Sequence, residues 1–282
     1  MKKLALILLA GVSLLAFAAG AADTLARIKS AQAINVAYSP DSLPFSFTDK
    51  AGPAGYSIDV CKRVIAQVGR AVGHPNLKVN WMPGQTSERL KMISSGKADL
   101  ECGNTTQTLA RLANVDFSAL IFLEMGGMLS RADTKLDSVG DLGGRKIVVL
   151  KGTTTETALR QALQKKLVNA DVVTVDNAAE GMAMLQAGGA DAYAGDRLKL
   201  LGLVSQAKDP RQFAFVAADL SYEPYALALP RNDSAFRLEV NRALSQLYRS
   251  GEIVDIYAQW LGALGRPPDL ITAMYILSAI PD

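Results

Sequence analysis

Three short segments of this chain carry groups suited to holding a small ion that bears both charges. Glu101-Cys102-Gly103-Asn104-Thr105-Thr106-Gln107-Thr108-Leu109-Ala110-Arg111 follows a strand-like run and leads into a helical turn. Asn104 and Thr106 fall at the carboxyl end of that strand, where open α/β sheets place their ligands. Arg111, one turn on, can fold back to give a carboxylate two parallel hydrogen bonds. The same residues also suit a threonine cap beside a surface arginine. Lys151-Gly152-Thr153-Thr154-Thr155-Glu156 likewise joins a strand to a helix, and the N–H groups of a helix start favour an anion. Thr153 to Glu156 reads equally well as an ordinary capping box. Asp196 ends a third strand-like run, where its carboxylate can accept an ammonium or simply make a turn. A free amino acid needs such a set, because buried charges without partners cost several kcal/mol each.

The elements that would position these groups alternate along the chain. Ile34 to Ala37, Leu77 to Trp81, Ala98 to Glu101, Lys146 to Leu150, Val172 to Val175, Ala190 to Ala194, Phe213 to Val216 and Ala226 to Leu229 have strand character. Between them, Ile58-Cys61-Val64-Ile65-Val68 recurs at helical spacing, and Arg89 to Ile93, Thr155 to Leu163 and Ala179 to Leu185 open further helices. Phe236 to Leu247 and Ile253 to Trp260 give two closing amphipathic helices. Gly126-Gly127 reads as a turn, as does the stretch from Tyr38 to Pro44. The order β-α-β-α, restarting after Asp141-Leu142-Gly143-Gly144, predicts two α/β units of mostly parallel sheet, with the cleft between them as the default site.

Composition narrows the function class. Lys2 and Lys3 precede an uncharged apolar run, Leu4 to Leu15, and Ala19-Gly20-Ala21 offers small residues for cleavage. This order predicts a secretory signal peptide over residues 1–22, cut near Ala21 or Ala22. The run is too short to span a bilayer, and no later stretch reaches that length. The net charge of +3 includes the two leading lysines, so the mature chain carries about 3 − 2 = +1, which gives no case for nucleic acid or a membrane surface. Two cysteines, Cys61 and Cys102, either pair or remain buried thiols, and spacing does not decide between them. With one histidine, His74, and no Cys/His cluster, no metal site or cofactor is expected. There is no nucleophile elbow, P-loop or dinucleotide fingerprint.

The order of motifs resembles the periplasmic amino-acid-binding proteins of ABC transporters, nearest to their glutamate/aspartate-binding branch. The matching pieces are Leu43-Pro44-Phe45-Ser46-Phe47, Gly55-Tyr56-Ser57-Ile58-Asp59-Val60, the Glu101 to Arg111 segment with Asp116-Phe117-Ser118, Asp141 to Lys146, Gly152-Thr153-Thr154 and Tyr222-Glu223-Pro224-Tyr225-Ala226. The tail from Pro267-Pro268 also looks like that branch. The resemblance implies an α/β, two-lobed type II fold with two hinge strands, one lobe from 23–124 plus 224–282 and the other from 127–221. It further implies a monomer in the periplasm that hands a small amino acid to a membrane-embedded permease. By the same resemblance Arg111 clamps the ligand's α-carboxylate with Thr106, Asn104 and Thr154, and Asp196 takes the ammonium. Thr86 and Arg89 match side-chain-pocket positions, Arg89 as the cation for an acidic side chain.

Two positions depart from the branch. Ser39 stands where a second arginine is usual, and Ala178 where a histidine is. An acidic ligand would therefore rest on Arg89, Thr86, Ser39 and water. Two other functions fit the same scaffold. A cyclohexadienyl dehydratase would need a general acid in the cleft, for which Glu101 or Glu223 is available in type. A ligand sensor for a membrane receptor would look the same in sequence.

Overall fold

A computed structural model describes residues 23–281, so the signal-peptide reading of residues 1–22 lies outside the described residues. The first part of the chain runs α1 (Thr24–Ala31), β1 (Ala33–Tyr38), β2 (Asp41–Ser42), β3 (Ser46–Asp49), β4 (Gly52–Ala54), α2 (Tyr56–Ala71), β5 (Lys78–Pro83), α3 (Thr86–Ser94), β6 (Leu100–Glu101), α4 (Leu109–Leu112) and β7 (Asp116–Arg131). The second continues with β8 (Lys146–Leu150), α5 (Thr154–Lys166), β9 (Asp171–Val175), α6 (Ala178–Gln186), β10 (Ala192–Asp196), α7 (Arg197–Ser205) and β11 (Phe213–Phe215). The chain then returns through β12 (Ser221–Leu229) to α8 (Ser234–Ser250), α9 (Glu252–Leu261) and α10 (Asp269–Ser278).

The result is an α/β fold of two lobes. In the first, β1 lies parallel to both β5 and β6. In the second, β8 lies parallel to both β9 and β10. The long strands β7 and β12 pair antiparallel from Leu229 opposite Asp116 to Ser221 opposite Gly126, and they carry the chain across between the lobes. Hydrogen bonding is continuous along the path β5-β1-β6-β12-β7-β10-β8-β9. β12 begins five residues before the strand expected from Ala226, so Pro224 stands inside it, opposite Leu123.

Gly126-Gly127 does not form the expected turn. Both glycines lie within β7, and their lack of a side chain admits close neighbours. A Cβ on Gly126 would come 2.3 Å from the Ser221 hydroxyl oxygen, and one on Gly127 would come 2.9 Å from the Arg197 side chain. Asp41 to Ala54 forms a small three-stranded sheet, whose first strand, β2, falls inside the stretch from Tyr38 to Pro44 that the sequence suggested was turns.

Alternation in the strands explains how each lobe is filled. In β8, Ile147 and Val149 pack on one face with Leu159 and Leu163 of α5. Val148 points the other way, towards Met182 and Leu185 of α6 and Leu200 of α7. The first lobe is larger, with Val60, Val64 and Val68 of α2 packed with Val36, Leu227, Val240 and Leu244. Phe45, Tyr56, Phe122 and Tyr225 form an aromatic cluster there, their rings meeting mostly edge to face. Cys61 of α2 and Cys102, the residue after β6, are joined in a disulfide with Cα atoms 6.0 Å apart. That link ties the start of the Glu101 to Arg111 segment to the main helix of its lobe.

Candidate functional site

The segment after β6 is laid down along β12. Gln107 N–H donates to the Pro224 carbonyl at 2.8 Å, and Ala226 N–H donates to the Thr105 carbonyl at 3.1 Å. Thr108 then caps α4 by accepting from Arg111 N–H at 3.1 Å. One turn of helix brings the Arg111 guanidinium back over the loop, where it donates to the Thr106 carbonyl at 2.8 Å. The capping threonine and the returning arginine are thus parts of one local structure. Burial lowers the Arg111 pKa from its usual value, and the nearby carboxylates of Glu101 and Glu223 oppose that shift. The group stays cationic in any case.

Across the gap, β8 turns through Gly152, whose φ of +72° suits a residue without a side chain, into α5. Thr153 caps that helix by accepting from Glu156 N–H at 3.2 Å, and Thr154 is its first residue. Arg111, Thr106, Thr154, Ser221 and Glu223 all line one cleft of about 580 Å³, within the size range of small-ligand sites. Asp196, at the end of β10, accepts from Thr155 Oγ1 at 3.1 Å and from Asn104 Nδ2 at 3.4 Å. The Tyr225 hydroxyl also donates to it. Burial and the Asp196 carboxylate both raise the Tyr225 pKa well above its ordinary value, so the phenol remains a neutral donor. The charge of Asp196 reaches Arg111 as a minor influence.

Of the residues singled out in the sequence, Thr106, Arg111 and Thr154 line this cleft, while Asp196 lines a separate, smaller cavity and Asn104 is tied to it by the hydrogen bond above. The threonine hydroxyls are not directed as expected. Thr106 Oγ1 and Thr154 Oγ1 each donate to the same oxygen of Glu223 at 2.6 Å, and Ser221 donates to its other oxygen. A hydroxyl has one proton to give, so neither threonine can donate to a second carboxylate while Glu223 holds it. The groups left for a ligand carboxylate are Arg111 and the N–H groups at the start of α5.

Arg89 is not brought to the cleft as a usable cation. Its side chain is 1% exposed, and Nε donates to Glu101 at 2.7 Å. The rest of the guanidinium donates to the Gly84 carbonyl at 2.9 Å, to Thr105 at 3.2 Å and to Thr86 at 3.4 Å. Gly103 leaves the space this ion pair needs, since a Cβ there would sit 2.3 Å from Glu101 Oε1. Thr86 therefore serves Arg89. Ser39 is buried and bonds Ser42 at 2.7 Å and Asp41 at 3.2 Å.

The sequence reading passed over several groups that the fold brings in. Lys199 places its ammonium 3.6 Å from Asp196, one turn further along. Asp41 faces an inner cavity of about 20 Å³ that it shares with Thr155, Ala178, Tyr193, Asp196 and Lys199. Glu223 was weighed only as an acid for a dehydratase and Tyr225 only within a matching piece; their spacing of two with Ser221, which puts all three on one face of a strand, was the signal for a shared role. Asp41 gave no such signal, because it lies in a loop-like stretch rich in Pro and Ser.

Comparison with known proteins adds a second line of observation. Residues 34–263 match the model for bacterial extracellular solute-binding proteins, family 3. An L-glutamate/L-aspartate-binding protein of Pseudomonas aeruginosa is 31% identical over 239 residues, covering 84% of this chain and 79% of that one. The solved structure of an ancestral arginine-binding protein bound to glutamine superposes with a TM-score of 0.73 at 27% identity, covering 82% of this chain and 98% of that one. An ancestral amino acid-binding protein described as a precursor of cyclohexadienyl dehydratase has a TM-score of 0.73 at 28% identity, covering 84% and 99%. Among the described residues no helix is long and apolar enough to cross a membrane.

Proposed function

The chain belongs to the bacterial extracellular solute-binding proteins, family 3, and from that premise we propose that it captures a free amino acid between its lobes in the periplasm and presents it to an ABC permease. What supports this reading is that Arg111 lines the larger cleft and Asp196 a smaller cavity that shares Thr153 with it, near enough for the Asp196 charge to reach Arg111, which offers a cation and an anion for the two ends of a zwitterion. Arg111 and the first turn of α5 take the α-carboxylate, and Asp196 takes the ammonium. We place the division between lobes at residues 124–127 and 221–224, where β7 and β12 cross, and take the protein to act as a monomer.

Closure follows from the distribution of these groups. Asn104, Thr106 and Arg111 lie on the first lobe, while Thr154, Thr155 and Asp196 lie on the second. A ligand that touches both sets binds the closed form better, and it shifts the open–closed equilibrium by that difference in affinity.

The dehydratase reading needs a carboxylic acid free to donate a proton in the cleft. Glu101 is held by Arg89, and Glu223 accepts from three hydroxyls, so both act as acceptors. We therefore read the protein as a binder. Calorimetric titration with the common amino acids, after stripping bound ligand, tests the proposal. At least one should bind, and Arg111→Ala should weaken it by about 2–5 kcal/mol without unfolding the protein. Unchanged affinity in that variant would remove the assigned role. Turnover of prephenate or arogenate by the wild type would replace binding with catalysis.

A further inference from the structure

We propose that Asp41 sets ligand choice, so that the site favours an amino acid whose side chain donates hydrogen bonds, above all a cationic one, and discriminates against acidic side chains. This rests on the amino-acid reading above and specifies the ligand class for the same site.

Three charged groups bear on the choice of side chain: Lys199 and Asp41, which line the small cavity of Asp196, and Arg89, which lines neither cavity. Arg89, the cation expected to greet an acidic side chain, is fully buried and donates to four acceptors of its own lobe. Drawing it out would leave Glu101 as a buried carboxylate without its partner. Lys199 of α7 faces Asp196, the last residue of β10, three positions back. The third group is Asp41, which lines the same inner cavity as Asp196.

Among the described residues the hydrogen-bond donors to Asp41 are all neutral. Ser39 Oγ donates to one oxygen at 3.2 Å. The other oxygen accepts from Gln85 Nε2 at 3.3 Å and from Ala178 N–H of the opposite lobe at 3.4 Å. These are long contacts, and among the described residues no ion pair reaches the carboxylate, Lys199 of the same cavity being paired with Asp196. Tyr193, whose phenol forms part of the same cavity wall, has its pKa raised by burial and then by the charges of Asp41 and Asp196.

The sign of the field follows directly. The linings of the two cavities, which share Thr153, together hold three carboxylates, Asp41, Asp196 and Glu223, against two cations, Arg111 and Lys199. The backbone of a free amino acid adds no net charge. A guanidinium or ammonium on its side chain balances the excess and gives Asp41 a charged donor. An amide gives it a neutral donor. A second carboxylate meets the like charge of Asp41, whose neighbours Ser39 and Ala178 bring only neutral donors. An acidic ligand could escape this only if Lys199 left Asp196 and turned towards it.

The test is calorimetric titration of the stripped mature protein with arginine, glutamine and glutamate, repeated on Asp41→Asn and Asp41→Ser. Wild type should bind arginine and glutamine at least tenfold more tightly than glutamate. Both variants should compress that ratio at least tenfold, chiefly by losing arginine affinity, with circular dichroism reporting an unchanged fold. Glutamate binding most tightly to wild type, or a ratio indifferent to both substitutions, overturns the proposal while leaving amino-acid capture intact. Failure of a folded wild type to bind any amino acid removes both.

Discussion

The two lobes share an α/β plan but meet the ligand gap with different chemistry. The first contributes long side chains on a braced loop. Arg111 returns onto the Thr106 carbonyl, the segment is hydrogen-bonded along β12, and Cys102 is linked to Cys61 on α2. The second lobe presents the ends of secondary-structure elements: the first turns of α5 and α6, and Asp196 at the end of β10. Its cores are smaller and almost wholly aliphatic. In the proposed reading the first lobe supplies a fixed cation, and the second brings N–H groups and a carboxylate down onto whatever is held.

The sharpest way to break this contrast lies within the first lobe, where two arginines of one sequence region do opposite jobs. Arg89→Ala should cost about 3–5 kcal/mol of stability in urea denaturation, because Glu101 is left buried and unpaired. Arg111→Ala should leave the urea midpoint nearly unchanged while weakening ligand. Equal stability losses in the two variants would erase the distinction between brace and clamp.

The strands between the lobes supply the next test. Burial lifts the carboxyl of Glu124 on β7 from its ordinary 4.5 to about 8. The folded state therefore keeps a proton that the unfolded chain has released, and stability falls as pH rises from about 4.5 to about 8. Below that window both states hold the proton, and above it neither does. Glu124→Gln should flatten this slope and raise stability at pH 8 by roughly 4 kcal/mol, read from melting curves at pH 5, 7 and 8. An unaltered pH profile would show that another group governs it.

The smallest effect is expected from the second lobe. Thr154→Ala removes one of the hydroxyls that Glu223 gathers from opposite sides of the gap. Ligand affinity should fall by about 1 kcal/mol, with stability unchanged, and small-angle scattering should show a more open unliganded form. A loss as large as that of Arg111→Ala would mean that the second lobe holds the ligand rather than closing over it.

Much of the fold was legible because apolar periodicity is a local property. Lys146 to Leu150 alternates so that Ile147 and Val149 must face away from Val148, and the helix of Ile58, Cys61, Val64, Ile65 and Val68 declares one buried stripe. Gly126-Gly127 misled, since a turn and a close strand crossing use glycine for the same lack of a side chain. In the site, residue type and place at a strand or helix end pointed to Asn104, Thr106, Arg111, Thr154 and Asp196. By itself the sequence determined two α/β units, the restart between them, and a supply of cations and carboxylates at the element ends. Only the tertiary structure decided which charges are available: Glu101 takes Arg89, Lys199 faces Asp196, Glu223 collects two threonines, and Asp41 is left with neutral donors. The reason is physical, since a charge acts on a ligand only as far as its own neighbours leave it unbalanced, and those neighbours come from distant parts of the chain.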